Sequence, residues 1–350
     1  LRIKTCPQAR KSALKKKLAQ YKWGFDMMLD TVDALDIHIL VDNTTDMLSS
    51  TPAGVTSEAM GLFSRGGQMM AGLCLCCAAH GLSCLITARK GDTERTVLFD
   101  TGPEEYAFER NVSRLGVDLG KVQSVVLSHG HWDHAGALLL ALNSIRQRNG
   151  SKTIPFYGHP DMFHKRAATL PNGKYREMID VPSVEQLTAA GAEVSLHREP
   201  VSLLDNMFAV SGEIPRRTTF ERGLPGQVRK NADGQWEKDE MLVDERWLGV
   251  NVKDKGLVIF SACSHAGIIN VLHDARDRFP DTPIHAVFGG FHLSGANEAI
   301  IPETVEGLKQ FGLKLIGAGH CTGWRAIAAM SNVFGDKVLA PTAVGKRYVF

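Results

Sequence analysis

The sequence predicts an α/β fold, and three observations lead to it. Short apolar, β-branched runs alternate with helix-length segments along most of the chain. The run at 122–128 is almost unbroken in apolar residues, as expected of a strand covered on both faces. Strands repeatedly end in loops that carry histidine, which is where open α/β sheets place their sites.

In chain order, residues 1–35 are expected as a basic helical extension. Between Leu1 and Phe25 there are eight Lys or Arg and no Asp or Glu. Leu14, Leu18, Tyr21, Phe25, Met28 and Leu29 fall on one side of a helix from 12 to about 35. A targeting remnant or a contact for an anionic surface is the alternative reading of that charge. A single domain follows over 36–350. It opens with a strand at 37–42, broken by the turn-forming Asn43-Thr44-Thr45-Asp46, and an insertion or lid near 47–70, rich in Ser, Thr, Gly and Pro. Strands at 81–88 and 96–100 form a hairpin across Lys90-Gly91-Asp92. After the strand at 122–128 come a helix at 135–148, a strand at 154–157, and a helix at 183–190 closed by Gly191. Strands at 193–196 and 207–210 lead to a polar, Gly-rich stretch at 216–237, read as a mobile loop within a second insertion near 216–240. Strands at 247–252 and 256–260 flank Lys253-Asp254-Lys255, and a helix starts at Gly267. The remainder reads as strand 284–288, helix 302–311, strand 313–317 and a last helix begun at Gly323. No internal repeat interrupts this pattern.

Composition excludes several classes. At 44% hydrophobic and 22% charged residues, the chain can bury a large core and is neither disordered nor fibrous. A net charge of +2 gives no general attraction for nucleic acid or a membrane surface, so any anionic ligand must be held locally. No run reaches the roughly 18 apolar residues a membrane span needs, so a soluble protein is expected. The seven cysteines lack the spacing of a secreted disulfide scaffold and are read as reduced, which places the protein in the cytoplasm. Cys74, Cys76 and Cys77, lacking paired C-x-x-C knuckles, are read as part of a buried apolar strand.

The chemistry concentrates in His129-Gly130-His131-Trp132-Asp133-His134. Two imidazoles spaced by one residue in extended or turning backbone can face one point, while Asp133 and His134 project toward a neighbouring one. That arrangement suits two divalent metals; imidazole and carboxylate are ligands for zinc, and iron or manganese also accept them. Thr322-Gly323 at a helix start, and Arg216 with Arg217 in a loop near the site, suggest contacts to an anionic, phosphate-bearing small substrate. His80 and His159 are expected to be structural, and His38, His164, His197, His273 and His285 incidental.

The run matches the H-x-H-x-D-H signature of the metallo-β-lactamase superfamily, and the chain resembles that superfamily in its strand–motif–helix context. Leu40-Val41-Asp42-Asn43, His80-Gly81-Leu82-Ser83, Cys263-Ser264-His265-Ala266-Gly267, Gly289-Gly290-Phe291-His292-Leu293 and His320-Cys321-Thr322-Gly323 are similar to one branch, which includes dihydropterin ribofuranosylaminobenzene phosphate synthases. The resemblance covers roughly residues 36–335. It implies a four-layer αββα sandwich. It also implies that His129 and His131 hold a first metal, that Asp133, His134 and His320 hold a second, and that Asp100 orients the cluster.

Two positions depart from the superfamily pattern. Where relatives have a histidine in a Gly-His-Thr-Pro-Gly turn, this chain has Ser211-Gly212-Glu213-Ile214-Pro215-Arg216, so Glu213 either replaces that ligand or leaves its place empty. Where relatives have a bridging aspartate, this chain has Ser261-Ala262-Cys263-Ser264-His265. The bridge is then absent or passes to His265 or Cys263, and His265 is expected because a neutral imidazole ligates without thiolate formation. His292 is a candidate general acid, substrate donor, extra ligand or packing residue. The expected function is hydrolysis of an ester, lactone or phosphoester by metal-activated water, with Asp133 orienting it or taking its proton. The alternative is a synthase that condenses a dihydropterin diphosphate with a ribofuranosylaminobenzene phosphate. A further alternative, from a different class, is a metal- and ligand-binding protein without turnover.

Overall fold

The computed structural model describes residues 27–350. Two large mixed sheets stack face to face, and each carries helices on its outer side. The first runs in the order Ala192–Leu196, Ile154–Gly158, Ser124–Val126, Thr93–Phe99, Ser83–Lys90, Ala34–Val41, Arg347–Val349 and Val55–Thr56. The second runs Val201–Leu203, Phe208–Val210, Trp247–Val252, Gly256–Ser261, Ile284–Gly290 and Leu315–Gly319, with Thr31–Val32 also paired to Trp247–Val252.

The period-two alternation of strands sorts their side chains into separate cores. Val97 and Phe99 meet Val258, Phe260 and Phe288 between the sheets, whereas Leu98 packs outward with Phe108, Leu138 and Leu142. Leu257 and Ile259 face the other way, onto Ile269, Leu272, Val305 and Met330 of the outer helices. The fold is therefore the αββα sandwich that the resemblance implied.

The local signals place most elements well. The expected hairpin is Ser83–Lys90 with Thr93–Phe99, paired antiparallel across its turn. Ser183 caps the helix Val184–Ala189 by a reciprocal pair of bonds with Gln186, so that helix starts where a capping box dictates.

Several expectations are corrected. The basic extension lies mostly outside the described residues, but its expected helix does not reach Leu35, because Thr31–Val32 and Ala34–Val41 are strands. The insertion near 47–70 contains the strand Val55–Thr56 and the helix Glu58–Ser64. The stretch 216–237 is not a loop throughout. Gln227–Lys230 and Trp236–Lys238 join Arg166–Thr169 and Tyr175–Glu177 in a separate four-stranded antiparallel sheet. Cys74 ends a short 3-10 turn and Cys76 is buried, but no strand runs through Cys74, Cys76 and Cys77. No described helix is long and apolar enough to cross a membrane.

Candidate metal centre

Parallel pairing brings strand ends to one edge of each sheet. Gly256–Ser261, Ile284–Gly290 and Leu315–Gly319 are parallel neighbours, so the loops carrying Cys263 and His265, His292, and His320 with Cys321 emerge side by side. Across from them, Ser124–Val126 ends in residues 127–131, and the short helix Trp132–Ala135 carries Asp133 and His134. Asp100, Ser264, His292 and His320 all have left-handed backbone, at φ 58, 54, 42 and 45°. Such conformations are disfavoured for residues with a side chain and gather at functional sites.

The His129-Gly130-His131 turn is clamped from behind. Gly130 N donates to Asp244 Oδ2 at 2.9 Å, and Arg166 Nη1 donates to Gly130 O at 2.9 Å and to Asp244 Oδ2 at 3.0 Å. Arg166 Nε also donates to Asp239 at 2.9 Å. A Cβ at position 130 would collide with Arg166 and with the Met162 carbonyl, so only glycine fits between the two ligand candidates.

Hydrogen bonds fix which nitrogen of each ring faces the centre. Asp100 Oδ2 accepts from His134 Nδ1 at 2.7 Å, which leaves a lone pair on His134 Nε2. The Ser128 hydroxyl donates to Asp100 Oδ2 at 2.7 Å and so accepts from His129 Nδ1 at 2.9 Å, leaving a lone pair on His129 Nε2. Gln227 lies 3.3 Å from His131 Nε2 and has an oxygen buried without a partner. With the amide turned so that this oxygen accepts from His131 Nε2, His131 Nδ1 carries the lone pair. His131 Nδ1 is 3.0 Å from His129 Nε2. His134 Nε2 and both nitrogens of His265 are buried with no hydrogen-bond partner.

The donors form overlapping groups. His129, Cys263 and His265 offer atoms within 4.8 Å of one another, and so do His134, Cys263 and His320. Asp133 and His320 fall together with His80, and Cys263 falls with His292 and Cys321. Cys263 is thus common to the two histidine groups, whereas His265 belongs to the first alone. Of the two candidates for the bridging place, Cys263 has its sulfur within both groups and His265 has its nitrogen within the first.

Buried, orphaned imidazole nitrogens and a carboxylate converging on one space fit a divalent metal pair. Burial pushes His129 and His265 well below the usual imidazole range, and with Arg166 brings His131 down to about 3, so all three are neutral, as ligation requires. Burial works against ionisation of Asp133, but His134 and His320 hold its carboxyl below the carboxylate range. Cys263 Sγ lies 3.0 Å from Cys321 Sγ and 3.5 Å from His292 Nδ1. Burial and Cys321 push the Cys263 thiol up. Cys321 moves down despite burial, under the influence of Cys263 and His320, so the two opposite shifts describe one proton shared by the pair.

Beside the centre, a small solvent-connected cleft is lined by Glu221, Ser264, His265, Phe291, His292 and Asn297 among others. The other expected residues lie as follows. Glu213 is exposed and turned to His159 at 3.2 Å and Arg198 at 2.9 Å, so it joins none of these donor groups. Arg216 reaches the Met241 carbonyl and lies near Glu245 and Glu221, while Arg217 pairs with Asp277. The Thr322 hydroxyl accepts from Phe291 N at 3.0 Å and is buried, so that side chain braces the neighbouring loop. Gly323 begins the helix Trp324–Phe334 with φ 80°.

Sequence reasoning missed Asn43, Gln227, Asp244, Glu245 and Cys321. Of these only Asn43 and Cys321 stood in motifs quoted from the resemblance, and neither had a role assigned.

Sequence and fold are similar to those of known proteins. The family model described as the metallo-beta-lactamase superfamily matches residues 81–166. A protein of Methanocaldococcus jannaschii named 7,8-dihydropterin-6-methyl-4-(beta-D-ribofuranosyl)-aminobenzene-5'-phosphate synthase is 32% identical over 71% of this chain and 82% of its own. An uncharacterized protein of the same organism is 29% identical over 73% of this chain and 89% of its own. A crystal structure described as a metal-dependent hydrolase of the beta-lactamase superfamily superposes with a TM-score of 0.66 at 24% identity, covering 89% of this chain and 98% of that one. Its likeness is one of fold, and together with the relative at 32% identity it shows that the chain belongs to the metallo-β-lactamase superfamily.

Proposed function

We propose that the chain is a metal-dependent hydrolase of a small anionic substrate, with zinc as the expected metal and iron or manganese as alternatives. The observation that carries this reading is the set of ring nitrogens whose free lone pairs converge with Asp133 on one buried space. His129, His131 and His265 would hold one metal, and Asp133, His134 and His320 the other, with Cys263 between them. Bound there, divalent ions supply Lewis acidity at the bond to be broken and make water acidic enough to react near neutrality.

The chain's own groups do the rest. Asp133, held ionised, is an acceptor for the proton of an attacking water. His292 borders the cavity and is a donor toward a leaving group. Arg216 places positive charge near Glu245 and near Glu221, which lines the cavity. The described cysteines are free thiols, which is compatible with the reducing, cytoplasmic setting expected for the chain.

A second reading is favoured by the relative named as a synthase: transfer, in which a diphosphate leaving group is displaced by a carbon or nitrogen nucleophile. A thiol in place of a bridging carboxylate fits a centre that acts as a Lewis acid as well as one that activates water.

Metal analysis of the purified protein tests the centre. About two ions per chain are expected, falling to about one in His265→Ala with circular dichroism unchanged. Two ions retained in that variant would overturn the ligand assignment. Turnover of phosphodiesters or lactones by the metal-loaded protein supports hydrolysis, and condensation of a pterin diphosphate without such turnover supports transfer.

A further inference from the structure

One imidazole near the centre differs from the rest in exposure. The His80 side chain is 58% exposed, whereas those of His134 and His320 are 0%. Its Nε2 lies 3.5 Å from Asp133 Oδ2, and its ring stacks 6.0 Å from Trp132 and stands 5.2 Å from His320. It therefore faces the second metal position from the solvent side.

Asn43 decides what His80 can do there. Its Oδ1 accepts the Gly81 backbone N–H at 3.1 Å, and a backbone N–H can only donate, so the amide's orientation is assigned without ambiguity. The amide nitrogen then faces His80 Nδ1 at 3.0 Å and donates to it. A ring that accepts at Nδ1 carries its hydrogen on Nε2. The same Asn43 oxygen lies 2.9 Å from His320 Nδ1, so His320 holds a hydrogen on Nδ1, and Nε2 is the atom it turns toward Asp133. One amide thus donates to Nδ1 of one ring and accepts from Nδ1 of its neighbour.

We infer that His80 is a substrate-facing hydrogen-bond donor at the second metal position, set by Asn43, and that it receives an anionic oxygen such as that of a phosphate or carboxylate group. The inference rests on the proposed metal centre. Distance alone would also allow His80 as a ligand beside Asp133 and His320. Ligation through Nε2 would put the ring hydrogen on Nδ1, directly against the Asn43 N–H. A donor hydrogen bond to a charged oxygen in this setting is worth about 1.5–3 kcal/mol, or roughly ten- to a hundredfold in affinity.

The test uses the full chain loaded with zinc and inorganic phosphate as probe. His80→Ala is expected to keep the wild-type zinc content and to bind phosphate at least about tenfold more weakly by calorimetry. Asn43→Asp offers acceptors to both rings. It should keep zinc through His320, move the His80 hydrogen to Nδ1 and lose phosphate affinity as His80→Ala does. Long-range 1H–15N correlation spectra read the tautomer directly, including in the metal-free protein. Loss of zinc in His80→Ala, an Nδ1–H tautomer in the wild type, or unchanged phosphate affinity in His80→Ala would each overturn the inference. A wild-type protein that binds no zinc would overturn the proposed centre instead, and the tautomer in that metal-free protein would still decide the role of Asn43.

Discussion

Asp100 touches two of the imidazole arrangements without offering an atom to the donor groups. Its carboxylate receives His134 directly and His129 through the Ser128 hydroxyl, while Ser128 N donates to its other oxygen at 2.7 Å. Replacing it with asparagine isolates that role. The φ of 58° is tolerated by Asn nearly as well as by Asp, so no backbone strain is added. The amide, however, can no longer accept from both partners with both oxygens. Asp100→Asn is expected to weaken metal binding about 10–100-fold in a chelator competition, with the fold intact. Unchanged affinity would show that ring orientation is set elsewhere. Sequence reasoning reached Asp100 through the family resemblance, which implies an aspartate that orients the cluster. It gave Gln227 no role, because a lone glutamine in a polar stretch carries no local mark of the histidine it will face.

At the scale of elements, the loop that presents His265 depends on Glu245. This buried carboxyl accepts the backbone N–H groups of His265 at 2.8 Å and Ala266 at 2.5 Å. Burial pushes it up to about 7 from its ordinary 4.5, against the pull of those amides and of Arg216. Between those two values the native state holds a proton that the unfolded chain has released, so stability falls as pH rises through that window. For the metal-free protein the loss is on the order of 3 kcal/mol. Urea unfolding at both ends of the window should show it, and Glu245→Gln should flatten the dependence. An equal pH dependence in the variant would assign the titration to another group. Strand ends such as this one were readable because Gly256–Ser261 and Ile284–Gly290 are apolar and β-branched. Gln227–Lys230 and Arg347–Val349 were not, since short strands with polar or charged outer positions leave no clear period in the sequence. Tyr348, fully buried against Phe288, shows that the latter strand is nonetheless part of the core.

Across the whole molecule, the candidate ligands divide between the two halves of the sandwich. His129, His131, Asp133 and His134 follow a strand of the first sheet, and Cys263, His265, His292 and His320 follow strands of the second. Bound metal would therefore tie the halves together and stabilise the native state by mass action. With free metal about a thousandfold above its Kd, that contribution is about 4 kcal/mol. Removing metal with a chelator should lower Tm by on the order of 5–10 °C, restored on adding zinc back. An identical Tm with and without metal would show that metal does not bind the native state in preference to the unfolded chain.

By itself the sequence determined the α/β class, the run from His129 to His134 and the order of strands that end in histidine loops. Each of these is written within a few consecutive residues, where spacing and turn chemistry act directly. Only the tertiary structure decided that Cys263 stands between the two histidine groups, that Glu213 turns away to His159, and that Asn43 meets His320 across 277 positions of chain. Those contacts are set by the register of two sheets and the packing between them, and no local rule of sequence spans that distance.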